Sequence, residues 1–157
     1  MSTNSYFELL KENLNSSKEF DINDNGHLSF HGINLVDIIQ EHGTPLKITF
    51  LPIISRQIEK AKEMFQNAIK DLDYRGDYTY CYCTKSSHFA FVLDEVLKNN
   101  VHIETSSAFD LPIIENLYLK NKIDFEKIIV CNGFKRPEYT SNIIRLINKG
   151  FKNLIPV

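Results

Sequence analysis

From Pro45 onward the chain alternates short apolar runs with stretches of helical periodicity, and this alternation constrains the fold more than any other feature. LKITF reads as a strand, 55–72 as a long amphipathic helix, 78–84 as a strand and 86–99 as a helix. The pattern continues with a strand at 101–105, a helix at 108–120 that tolerates Pro112 in its first turns, a strand at 127–131 and a helix at 137–148, and 154–157 opens another strand. Strands separated by helices pair in parallel through crossover connections. The repeat recurs about every 25 residues, the size of a β/α unit. A doubly wound sheet and a (β/α)8 barrel both satisfy the pattern. No GxGxxG or GxxxxGK[ST] follows any strand, which removes the usual nucleotide-binding reason for a doubly wound sheet. A barrel needs about 250 residues. The expected fold class is therefore α/β: alternating β/α units forming the first half of a (β/α)8 barrel, preceded by a helix and a short β-hairpin. The apolar FKNLIPV that ends the sequence, without a polar tail, fits a longer parent chain.

Ahead of Pro45, Tyr6, Phe7, Leu9, Leu10 and Leu14 fall at roughly helical spacing over 1–15. Residues 20–31, FDINDNGHLSFH, read as a hairpin turning at Asn25-Gly26, and 35–41 as a short helix stopped by Gly43. The domain reading is an N-terminal helix and hairpin over 1–43, then an incomplete barrel over 44–157. Net charge is −2 and the pI about 6.2, so charge marks neither a nucleic-acid nor an anionic-membrane partner. There is no signal segment and no stretch long enough to span a membrane. The three cysteines make no CxxC pair, so reduced thiols and a cytoplasmic location are expected.

Several apparent sites dissolve on inspection. Asp21, Asn23, Asn25 and Gly26 match the first half of a calcium loop, but its twelfth position, which needs a bidentate glutamate, is Gly32. His27, His31 and His42 have no carboxylate or cysteine at ligand spacing, so they read as surface or turn residues and no metal is expected. The strand at 78–84 is more informative. Side chains alternate across a strand, so Thr79, Cys81, Cys83 and Lys85 share one face, and Tyr78, Tyr80, Tyr82 and Thr84 share the other. Bulky tyrosines suit the helix side of a barrel and small residues its crowded interior. Lys85 then points inward at the C-terminal end of its strand, where barrel enzymes keep their chemistry. Geometry alone leaves an ordinary solvated lysine equally open. The next strand, HIETSSAFD, brings Glu104 and Asp110 to the same rim. Helix capping accounts for Asp110 well and for Glu104 less well, because Glu104 stands among apolar strand residues. In IIVCNGFKRPEY, Gly133 permits a tight turn at the rim, and Lys135 and Arg136 either attract an anion or are simple loop charges.

Taken together, HGTPLKIT, YCTKSSHFAFVLDEVL, HIETSSAFDLPII and IIVCNGFKRPEY resemble the pyridoxal-phosphate decarboxylases of the alanine-racemase barrel type, most closely the biosynthetic arginine decarboxylases. The resemblance runs in order from about residue 20 to the end. It implies that Lys85 is the lysine that bonds covalently to pyridoxal 5′-phosphate, that Glu104 is an acidic position beside that lysine and cofactor, and that Asp110 is a second acidic position on the rim. Lys85 and Glu104 are thereby the expected catalytic residues, with Lys85, Glu104 and Asp110 holding the cofactor. Where such enzymes often have asparagine two residues after the lysine, this chain has Ser87. The implied activity is decarboxylation of a basic amino acid, arginine to agmatine in polyamine biosynthesis, with a small-molecule substrate and a homo-oligomer with shared active sites as the complete enzyme. The present stretch is expected to be inactive alone. The alternatives are a small pyridoxal-phosphate-binding barrel without catalysis, a decarboxylase for ornithine or diaminopimelate, or an inert β/α fragment with no ligand.

Overall fold

The computed structural model describes residues 19–157, in two compact units that divide between Thr49 and Phe50. The helix expected over 1–15 lies outside the described residues. In the first unit, β1 (Phe20–Ile22), β2 (Leu28–Phe30) and β3 (Ile33–Asn34) form an antiparallel sheet in that order. Phe20 opposes Phe30, and their rings meet at 4.7 Å. The turn is built by Asn23, whose Oδ1 accepts from the N–H groups of Asn25 and His27 while Gly26 takes a φ of +75°. That accounts for the Asn- and Asp-rich loop without an ion, and no group of metal-ligating side chains occurs among the described residues. Asn34 caps α1 (Leu35–His42) by accepting from the Val36 N–H at 3.1 Å, and Gly43 ends it.

The second unit holds α2 (Pro52–Asp71), β4 (Cys81–Cys83), α3 (Ala90–Leu97), β5 (His102–Thr105), α4 (Leu111–Leu119), β6 (Ile129–Cys131), α5 (Pro137–Lys149) and β7 (Leu154–Pro156). The strands form one parallel sheet in the order β4-β5-β6-β7. Two features distinguish a barrel segment from a doubly wound sheet. Strand order follows chain order without the reversal that marks a switch point. The helices also cover one face alone. Leu93 of α3, Leu111, Ile114 and Leu117 of α4, and Tyr139, Ile143 and Leu146 of α5 close over Ile103, Ile129 and Cys131. A smaller cluster joins Ile58 of α2 to Val92 and Val96 of α3 and to Val101, with Tyr80 and Tyr82 packed against it. Full burial of each such aliphatic side chain contributes about 1.5–3 kcal/mol. On the opposite face, Cys81, Cys83, His102, Glu104 and Val130 are only partly covered, and Ile155 is exposed.

The alternation of β/α units is as expected, with one correction. LKITF is not a strand: residues 46–50 join neither sheet, and Leu46 and Ile48 are exposed. The apolar-polar alternation there is a genuine strand pattern, but a strand exists only through its pairing, and pairing is a tertiary event. Strand β4 is likewise shorter than the apolar run suggests, because Tyr78–Tyr80 lie outside the ladder.

Candidate active site

The three strand ends β4, β5 and β6 and the loops that follow them form a continuous rim. Registry places Cys81 beside His102, Cys83 beside Glu104, and Glu104 beside Val130. Because neighbours in a parallel ladder share a face, Cys81, Cys83, Glu104 and Val130 all stand on the sheet side that the helices leave bare. Tyr80 and Tyr82 take the helix side, and Tyr78 stacks on Phe65 of α2 at 4.1 Å. The division of tyrosines and thiols between the two faces is thus as the strand period predicts.

Lys85 lies one residue outside that logic. The chain turns at Thr84–Ser86, with the Ser86 N–H donating to the Cys83 carbonyl at 3.1 Å. Thr84 is fully buried, and both its N–H and its hydroxyl donate to the Glu104 carbonyl, at 3.0 and 3.2 Å. Strand alternation therefore stops at Cys83 and does not itself aim Lys85. The lysine is exposed in the turn, and its ammonium has no hydrogen-bond or ion-pair partner among the described residues. Ser87, close behind it, accepts through its carbonyl from the Tyr82 hydroxyl at 3.0 Å.

Glu104 is half-buried in β5, and its Oε1 accepts from the Asn132 side-chain amide at 2.9 Å. Its charge reaches the thiol beside it. Burial pushes the Cys81 thiol up, and the Glu104 carboxylate adds to that shift. Cys83, on the same face, has its Sγ 3.8 Å from the Ser106 hydroxyl. His102 serves the ladder: its Nδ1 accepts from the Ile128 N–H at 3.1 Å, and burial, followed by the Lys127 charge, lowers its proton affinity.

Asp110 is differently occupied. Its Oδ2 accepts from the Ser106 N–H at 2.8 Å, the Ser107 N–H at 3.0 Å and the Ser107 hydroxyl at 3.2 Å. The carboxylate bonds backward into the β5/α4 loop and does not cap α4. The Lys135 ammonium is occupied as well: it donates to the Gly133 and Val157 carbonyls at 2.6 and 2.7 Å and sits 4.9 Å from the centre of the Tyr139 ring. That leaves Arg136, exposed ahead of α5, as the solvent-facing cation of this loop.

Sequence reasoning read Asn132-Gly133 as a strand break and missed what it builds. Tyr139 is buried with its hydroxyl 2.9 Å from Thr105 Oγ1 and donating to the Asn132 carbonyl at 3.0 Å, and burial holds its phenol up at about 12. The rim thus rests on a neutral polar knot between β5, β6 and α5. Asn-Gly at a strand end was the available signal, but the partner across the sheet is set by registry and leaves no trace in local sequence.

No protein-family model matches the chain. It is 28% identical over 141 residues to the biosynthetic arginine decarboxylase of Parasynechococcus marenigrum, covering 80% of this chain and 21% of that enzyme. It is 31% identical over 139 residues to the enzyme of the same name from Gloeobacter violaceus, covering 76% of this chain and 20% of that one. Among solved structures, the biosynthetic arginine decarboxylase of Campylobacter jejuni superposes with a TM-score of 0.64 at 22% identity, over 90% of this chain and 25% of that one. This last likeness carries the fold. The chain spans about a fifth of the length of the curated relatives it matches. Over most of its own length, then, it is similar in sequence to the biosynthetic arginine decarboxylases, and in fold to a quarter of one of them.

Proposed function

We propose that this chain carries the lysine-bearing part of a pyridoxal-phosphate-dependent decarboxylase of polyamine biosynthesis, acting on arginine to give agmatine and carbon dioxide. The observation that carries the reading is the placement of Lys85 and Glu104 at the C-terminal ends of neighbouring parallel strands, in a chain whose relatives bear the name arginine decarboxylase. The residues present suit the reactive end of the cofactor. Lys85 offers an amine without a competing partner, Glu104 a carboxylate with one oxygen uncommitted, and Cys81, Cys83 and Val130 an uncharged wall beside them. When bound, pyridoxal phosphate supplies an electron sink for the charge left behind as carbon dioxide departs.

The chain's own groups do the rest. Lys85 would hold the cofactor through Nζ, for which it must present the unprotonated amine. Glu104 orients a protonated nitrogen at the rim through Oε2. Asp110 contributes by shaping the loop that carries Ser106 and Ser107, which puts the loop amides to internal use and keeps the rim fixed. The complete enzyme works in the cytoplasm on a small amino-acid substrate, as a homo-oligomer with shared sites. Borohydride reduction of the protein with pyridoxal phosphate, followed by peptide mapping, tests the assignment. Label is expected on Lys85; label on another lysine with Lys85 clean overturns it.

A further inference from the structure

Asn132 is fixed from three directions before it reaches Glu104. Its main-chain N–H donates to the Thr105 carbonyl at 2.9 Å, and its carbonyl accepts from the Tyr139 hydroxyl at 3.0 Å. Its side-chain Oδ1 accepts from the Gly133 N–H at 2.7 Å. An amide that gives its oxygen to one side must turn its NH2 group to the other. That group meets Glu104 Oε1 at 2.9 Å, and reversing the amide would set oxygen against oxygen at Glu104 and donor against donor at the Gly133 N–H. Gly133 makes the approach possible. Its φ is +100°, and a Cβ there would stand 2.5 Å from the Ser106 carbonyl oxygen. A residue without a side chain therefore brings the β6/α5 loop against the β5/α4 loop and delivers Asn132 to its place.

A carboxylate at a partly exposed strand end would otherwise exchange rotamers in ps–ns. We propose that Asn132 is the positioning residue for Glu104: its locked amide captures Oε1 and so reserves Oε2 as the acceptor for a cationic N–H donor at the rim. That this donor belongs to the amine chemistry of Lys85 rests on the decarboxylase reading; the clamp itself does not. Asn132 touches no reacting atom and acts through Glu104 alone.

Two measurements on the full chain keep these apart. The first follows the Asn132 side-chain amide protons by NMR from pH 7 to pH 3. They are expected to move as Glu104 takes up its proton and to stay in place in Glu104→Gln; resonances indifferent to Glu104 overturn the clamp. The second compares the rate at which borohydride fixes pyridoxal phosphate to Lys85 in variants, each relative to wild type at the same pH. Asn132→Asp keeps the shape, the acceptor for Gly133 and both main-chain bonds, but turns an acceptor toward Glu104. Its relative rate should fall about tenfold at pH 8, the size of one lost hydrogen bond to a charged group. It should recover toward wild type as the pH falls to 5, where facing carboxylates share a proton. Asn132→Ala should fall similarly without recovering. Asn132→Asp matching wild type at every pH would overturn the positioning role, because a purely structural Asn132 loses nothing in that exchange. If wild type takes no label at Lys85, the decarboxylase reading fails by itself, and the amide resonances still judge the clamp.

Discussion

Glu104 in strand β5 and Asp110 in the loop that follows it are carboxylates of one β/α unit, yet their surroundings give them opposite duties. Asp110 holds two loop amides and a hydroxyl, whereas Glu104 holds one amide and keeps an oxygen uncommitted. Asp110→Ala should therefore destabilise the fold by about 1–2 kcal/mol in urea unfolding, the cost of leaving the Ser106 and Ser107 amides without their acceptor. Glu104→Ala should unfold within about 0.5 kcal/mol of wild type, yet slow cofactor attachment at Lys85 by the larger factor. The reverse order in both assays would exchange their roles. At Gly133 the penalty is geometric. Gly133→Ala forces a Cβ onto the Ser106 carbonyl at a φ of +100°, so thermal unfolding should show a loss of about 1–3 kcal/mol. The sequence marked Lys85, Glu104 and Asp110 because charged side chains at strand ends stand out from apolar runs. Asn132 was not legible, because its significance lies in a hydrogen bond to Glu104 across a parallel ladder, and no local pattern encodes that partner.

Between elements, the α2–α3 contact carries a polar clasp that periodicity does not reveal. Glu95 faces the interior of the helix pair at 8% exposure. Its Oε1 accepts from the Ser55 hydroxyl at 2.5 Å and its Oε2 from the Lys98 ammonium at 2.6 Å, while Asn99 Nδ2 donates to Ser55 Oγ at 2.9 Å. The Lys98 hydrogen bond first, and the Ser55 hydroxyl next, hold the Glu95 carboxyl below the usual carboxylate range, against the opposing effect of burial. A lowered folded-state value means the clasp stabilises fully above the unfolded glutamate's range and is lost as pH falls through the folded value. Thermal scans from pH 6 to pH 3 should accordingly show a steeper loss for wild type than for Glu95→Gln, which cannot titrate; parallel curves would mean the clasp contributes nothing. The helices themselves were readable from apolar spacing, with Pro112 tolerated in the first turn of α4 and Pro137 opening α5, although α2 starts at Pro52, ahead of the expected residue 55. LKITF misled because its alternation was sound and its partner was lacking.

From α2 onward the order of elements was plain from hydrophobic period, whereas the choice of a barrel over a doubly wound sheet rested on the lack of nucleotide-binding motifs and not on the period. Local sequence says that a strand is flanked by helices but not on which side each helix lies. The structure settles it through burial: Ile103, Thr105, Ile129 and Cys131 are sealed on one side, and Cys81, Cys83 and Glu104 are only part-covered on the other. That one-sided wrapping divides the thiols into two chemical populations. Cys131, fully buried under α5, is raised in pKa mainly by its burial and is shielded from reagents, whereas Cys81 and Cys83 remain reachable. A maleimide probe should modify the first pair in the native protein and Cys131 at the rate of unfolding. The chain thereby carries its own clock: slow modification of the third thiol times each opening of the helical layer, with no engineered cysteine needed.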